Sequence, residues 1–141
     1  MKGTKLRLLS MAVVAVLAGL APAAAQAQGT YSGTLNQAAP TSHTGSIGLV
    51  VSHGRISGLT LNFVLTCQGL GVVYDQDPVP GFTVPIGPAH GFSYAGTIGG
   101  RNLRITGSLK GGKAVGSVFQ SFWFGDSFCT MDQPASYTAS G

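Results

Sequence analysis

The sequence predicts an all-β protein: a single antiparallel β-sandwich or small barrel of eight to nine strands, with an N-terminal signal peptide. Three observations carry this expectation. Apolar and polar residues alternate through most of residues 28–141, glycine-containing turn signals punctuate that alternation at short intervals, and no window beyond the first 27 residues has amphipathic helical periodicity.

The N-terminus explains itself first. Lys2, Lys5 and Arg7 precede an apolar run from Leu8 to Leu20, and the small residues Ala21-Pro22-Ala23-Ala24-Ala25-Gln26-Ala27 follow. This is the order of a secretory signal peptide, with cleavage expected after Ala25 or Ala27. The run of thirteen residues falls short of the ~20 needed to span a bilayer. Residues 1–27 are therefore read as a removed signal, leaving no membrane span, and residues 28–141 as the all-β domain, secreted or periplasmic.

Within that domain Thr30–Leu35 alternates as a first strand, and Asn36–Thr44 reads as a polar connection. Ser46–Ser52 is the second strand, with Ile47, Leu49 and Val51 on one face. His53-Gly54 turns the chain into a long third strand, Arg55–Cys67. Pairing outward from that turn puts Val51 opposite Ile56, yet the later apolar set Leu59, Leu61, Phe63 and Leu65 has the other parity. One extra residue at Ser57-Gly58 reconciles the two, so a β-bulge is predicted there. Val72–Tyr74 is a short strand, and Asp75–Gly81 (DQDPVPG) is a loop on account of its two prolines. Phe82–Ile86 and Gly91–Ile98 are further strands.

The clearest unit is the hairpin Leu103–Phe124 around Gly111-Gly112. A two-residue turn there faces Lys110 with Lys113, Leu109 with Ala114, Gly107 with Gly116, Ile105 with Val118 and Arg104 with Phe119. Phe128-Cys129 and a closing strand Ala135–Ala139 complete the chain.

Charge narrows the function. Residues 28–141 hold five basic residues (Arg55, Arg101, Arg104, Lys110, Lys113) against four aspartates (Asp75, Asp77, Asp126, Asp132) and no glutamate. That is too even for a nucleic-acid binder. Cys67 and Cys129, the only cysteines, are expected to pair in an oxidising compartment, against the alternative of two free thiols or a metal site.

The glycine-tyrosine-rich start, the long strand ending in Cys67, Gly91-Phe92-Ser93, Gly100 to Gly107 (GRNLRITG), Ala114-Val115-Gly116, Cys129 and the ending Tyr137-Thr138-Ala139 together resemble a loose group of small secreted bacterial all-β proteins. The resemblance covers nearly all of residues 28–141 but rests on glycines and alternation. It implies an all-β fold with one disulfide, Cys67 to Cys129. The group has no established activity, so no catalytic residue carries over.

Motifs with chemistry are few. Gly107–Ala114 (GSLKGGKA) nearly spells a phosphate-binding loop, but it lacks the final Ser or Thr and joins two strands instead of a strand and a helix. Gly91-Phe92-Ser93-Tyr94-Ala95 lacks the helix behind a nucleophile elbow. Asp75-Gln76-Asp77 lacks the remaining ligands of a helical calcium loop. No cofactor and no metal are implied. The candidate binding surface is Phe119, Trp123 and Arg104: alternation sends both aromatics to the face of Arg104. There they are either covered by a second layer or form a platform that stacks a sugar ring or grips a partner. The expected function is an exported, non-catalytic binding or envelope-associated structural module, its partner an unknown protein, glycan or surface ligand. The alternatives are a small hydrolase using His53 or His90 with a loop aspartate, and a β-barrel carrier of an apolar ligand.

Overall fold

The computed structural model describes residues 28–38 and 42–141, so the signal peptide expected over 1–27 lies outside the described residues. Ten strands are present among them: β1 (Gly29–Gln37), β2 (His43–Ser52), β3 (Arg55–Cys67), β4 (Gly71–Pro78), β5 (Val84–Pro85), β6 (Gly91–Ile98), β7 (Arg101–Lys110), β8 (Lys113–Phe124), β9 (Ser127–Thr130) and β10 (Ala135–Ser140). Six of them close into an antiparallel barrel in the order β10-β1-β2-β3-β9-β8, with β8 returning to β10. The remaining four extend it: β4 and β5 pair with β3, and β7 and then β6 extend from β8.

The local expectations are met where turn chemistry and alternation agree. The β7–β8 hairpin has the predicted register throughout, from Lys110 opposite Lys113 to Arg104 opposite Phe119. Gly111 and Gly112 both take positive φ at its turn, as a two-residue primed hairpin requires. The β2–β3 bulge is also found: Val51 faces Ile56 and Val50 faces Gly58, leaving Ser57 over, after which Leu49 meets Leu59 and Ile47 meets Leu61.

Three expectations need correction. Asp75–Pro78 is not loop but the second half of β4, in register with Phe63 through Thr60. The prolines do not prevent this, because Pro78 ends the strand and β4 bonds through one edge only. The strand expected over Phe82–Ile86 is only Val84–Pro85, since just Arg55 and Ile56 of β3 remain to pair with it. The polar connection is shorter than expected, because β1 runs to Gln37 and β2 begins at His43, where the two residues face each other.

One core fills the barrel. Tyr31, Leu35, Ile47, Leu49, Leu61, Phe63, Ile105, Val118 and Tyr137 are all buried within it. In the β7–β8 hairpin Gly107 and Gly116 face each other, and the Tyr137 ring from β10 occupies the room they leave. A Cβ at Gly107 would overlap the Tyr137 hydroxyl and the Phe92 ring. The hydroxyl donates to the Thr106 carbonyl at 3.0 Å, and burial pushes the phenol's pKa upward. Outside, hydroxyls and amides take the place of charges: Thr106, Ser117, Ser136, Asn36 and Thr44 line up as one row across five strands. That row accounts physically for a chain with so few ionisable groups.

The barrel's ends differ. At one end, β3 and β8 are held apart by β2, β1 and β10. At the other, only β9 lies between them, pairing Cys129 with Cys67 of β3 and with Phe122 of β8. The Cys67–Cys129 disulfide joins β3 to β9 at this narrow end. It closes a 62-residue separation, for which the chain-entropy account gives about 4 kcal/mol of stabilisation.

Candidate functional site

The narrow, disulfide-bearing end holds the most pronounced departure from an ordinary surface. Inward-facing positions of β3, β4, β7 and β8 run past the last layer of the core and open as a cleft of about 270 Å³. Its floor is the disulfide, its walls are Val73, Phe122 and Phe124, and Leu70 and Tyr74 stand at the rim.

Each wall residue is placed by a local device. Gly99 and Gly100, both at positive φ, turn β6 into β7 so that Arg101 starts the strand opposite Phe122. Gly69 and Gly71, also at positive φ, turn β3 into β4. Val73, Asp75 and Asp77 then alternate toward the cleft while Tyr74 and Gln76 face outward. Arg101 spans the cleft: one guanidinium nitrogen donates to Asp75 at 3.0 Å and the other to Asp77, and the group lies 4.6 Å over the Phe122 ring. Asp75 is held above the usual carboxylate range, chiefly because burial disfavours its charge and next because it is hydrogen-bonded to Asp77; Arg101 pulls the other way.

The rim is apolar and open. Leu70 is 58%, Trp123 64%, Phe124 67% and Tyr74 70% exposed, a concentration of large side chains that a soluble surface does not ordinarily gather at one end. Trp123 is therefore not covered by a second layer, and its contact is the Phe128 ring at 5.2 Å on β9. The three sequence candidates are only partly brought together. Arg104 sits over Phe119 at 5.8 Å, beside a groove of about 330 Å³ that also includes Asn102 and Ser121. Trp123 is four residues farther along β8, roughly 13 Å at strand rise, with buried Ser121 between.

His53 and His90 lie apart from the aspartates, whereas His43, at the start of β2, packs edge-on against Tyr74 with 5.4 Å between ring centroids. His53 and His90 occupy the turns before β3 and β6, at the wide end. Asp77 and Asp75 are in register with Leu61 and Phe63, at least ~20 Å along β3 from the His53 turn. Asp132 accepts from the Thr66 hydroxyl near the narrow end. Among the described residues no three His, Cys, Asp or Glu side chains cluster as a metal site would require. A larger, flatter depression of about 490 Å³ beside Val84, Phe92 and Gly107 has no ionisable side chain in its wall.

Compared with family models, curated proteins and solved structures, the chain matches none. It is a small all-β barrel with one disulfide and no identified family. The disulfide fits an oxidising, extracytoplasmic environment.

Arg101, Leu70, Tyr74 and Phe124 are not among the sequence candidates, and Asp75 and Asp77 enter there only as an incomplete calcium loop or as loop aspartates for a hydrolase. The signal for the aspartates was present: with Val73 they alternate, which puts both on one face as soon as residues 75–78 are read as strand. Phe124 likewise shares its face with Phe122. The two prolines hide the first pattern.

Proposed function

We propose that this protein is an exported, non-catalytic binding module, secreted or periplasmic, that meets its ligand or envelope partner with the disulfide end of the barrel. The observation behind this reading is the gathering of Leu70, Tyr74, Trp123 and Phe124, all more than half exposed, at one end of the barrel, where Leu70, Tyr74 and Phe124 border the cleft and Trp123 lies on the other face of β8 against Phe128. Apolar area of this kind costs solubility unless it is used, and barrel mouths are recurrent ligand sites. The disulfide and the β9 bridge hold the rim in place beforehand, which lowers the entropy lost on binding.

A second reading, a carrier for a small apolar molecule, draws on the cleft itself. Its volume of about 270 Å³ is near the lower end of small-molecule pockets, so the ligand would enter in part and leave the rest to the rim. The hydrolase reading has less behind it, because His53 and His90 stand at the other end from the paired aspartates.

The test is co-sedimentation of the protein spanning residues 28–141 with envelope fractions. A Trp123→Ser/Phe124→Ser variant is expected to lose at least most of the bound material, while Val115→Ser, an exposed apolar residue on the hairpin side, is expected to retain it. Equal retention by both variants would remove the rim as the binding surface.

A further inference from the structure

We propose that the cleft at the disulfide end selects a small organic cation, a protonated amine carried on an apolar chain or ring. This rests on the reading of that end as the binding surface and adds the chemical class of what enters it.

The walls supply the apolar half of the recognition. Val73, Phe122, Phe124 and the disulfide offer surface to a hydrocarbon chain, with Tyr74 and Phe124 at the entrance. The polar half is set by Arg101. Its guanidinium already bridges Asp75 and Asp77 and covers the Phe122 ring, so its positive charge is already matched. Two carboxylates share that single cation, and the cleft therefore holds negative charge in excess. An ammonium group entering beside them gains carboxylate contact together with the negative faces of the rim aromatics. A carboxylate or phosphate entering there meets the excess charge unpaired.

The chain's other charges point the same way. Asp126, in the β8–β9 turn, and Asp132, bonded to Thr66, belong to the same end as Asp75 and Asp77. Arg55, Lys110 and Lys113 lie at the opposite end, in the β2–β3 and β7–β8 turns. Among the described residues this end thus carries four carboxylates against two guanidiniums, Arg101 in the cleft and Arg104 three residues farther along β7 over Phe119. A field of that sign raises the local concentration of cations at the mouth. The partly buried carboxyl of Asp75, held above its ordinary range, would be relieved by a bound cation. The charged groups facing it are Asp77 on its own strand and Arg101 from β7.

The experiment titrates the protein spanning residues 28–141 with hexylamine, hexanol and hexanoate, which share a chain and differ in charge, following amide NMR shifts. Hexylamine is expected to shift Leu70, Val73, Arg101 and Phe124 and to bind about tenfold more tightly than hexanol, a difference of ~1.4 kcal/mol, with hexanoate weakest. Asp77→Asn is expected to abolish that preference. In the unmutated protein the amine's affinity is expected to fall as acidification protonates Asp75, which needs no variant to fold. Equal binding of the three probes at the cleft would overturn the charge selection and leave the binding surface standing. Absence of cleft shifts with every probe would overturn both. Shifts at the cleft and at Lys110–Lys113 that grow with protein concentration alone would instead assign the occupant as the basic end of a second copy and overturn the small-cation proposal.

Discussion

The side-chain amide of Gln37 completes the backbone ladder at Val64. Its nitrogen donates to the Val64 carbonyl at 2.9 Å, and its oxygen accepts from the Val64 N–H at 2.7 Å. Val64 falls on β3 between the last residue paired to β2, Asn62, and the first paired to β9, Thr66. At that point the two neighbouring strands diverge and neither reaches the backbone. A buried glutamine takes the place of the missing strand residue. Without it, a buried N–H and a buried C=O would both go unpaired.

Gln37→Leu is therefore expected to destabilise the protein by about 3 kcal/mol, the cost of orphaning two buried backbone groups. Urea unfolding monitored by circular dichroism measures this. A change below about 0.5 kcal/mol would mean that Gln37 does not hold the gap.

Gly107→Ala is expected to cost about 1–3 kcal/mol through overpacking against Tyr137 and Phe92. Adding Phe92→Leu, which clears part of that overlap, is expected to recover some of the loss. Strictly additive effects in the double mutant would show that the two sites do not share the space.

Asp75 makes a pH prediction with a definite sign. Its folded pKa lies above the ordinary carboxylate value of 3.8, so the folded state holds this proton more tightly than the unfolded chain does. Stability from this group then rises as pH falls from neutrality through the folded pKa toward 3.8. Comparing melting temperatures between pH 7 and pH 4 is expected to show the wild type gaining on Asp75→Asn as pH drops. A constant gap between the two proteins would refute the shift.

Trp123, the one tryptophan in the chain, is 64% exposed, so its emission should be red-shifted and readily quenched by acrylamide. Binding at the rim is expected to blue-shift it and protect it. A blue, quencher-resistant emission from the free protein would place the ring in a covered position and remove it from the rim.

Much of the local structure was legible in the residues themselves. Period-two alternation assigns faces, and glycines able to take positive φ mark turns; together they specify the β7–β8 register and even the bulge at Ser57, since a single slip would turn Leu49 and Ile47 away from the core. The same reasoning failed at residues 75–78, because proline is read as a strand breaker until one knows that β4 bonds along one edge only.

What the chain's alternation cannot state is which strand ends meet. That pairing is non-local: β3 meets β9 across a 62-residue separation, and the closure of β8 on β10 gives the barrel its two unlike ends. Parity shows that Trp123 and Phe119 share a face, but whether anything covers that face depends on how far β9 reaches. Likewise, residue types establish that charges are few, while only the closed ring gathers the four aspartates and Arg101 at the aromatic end and sets the lysines at the other. Faces follow from the geometry of one strand; the site follows from the edges of several, brought together by burying a common core.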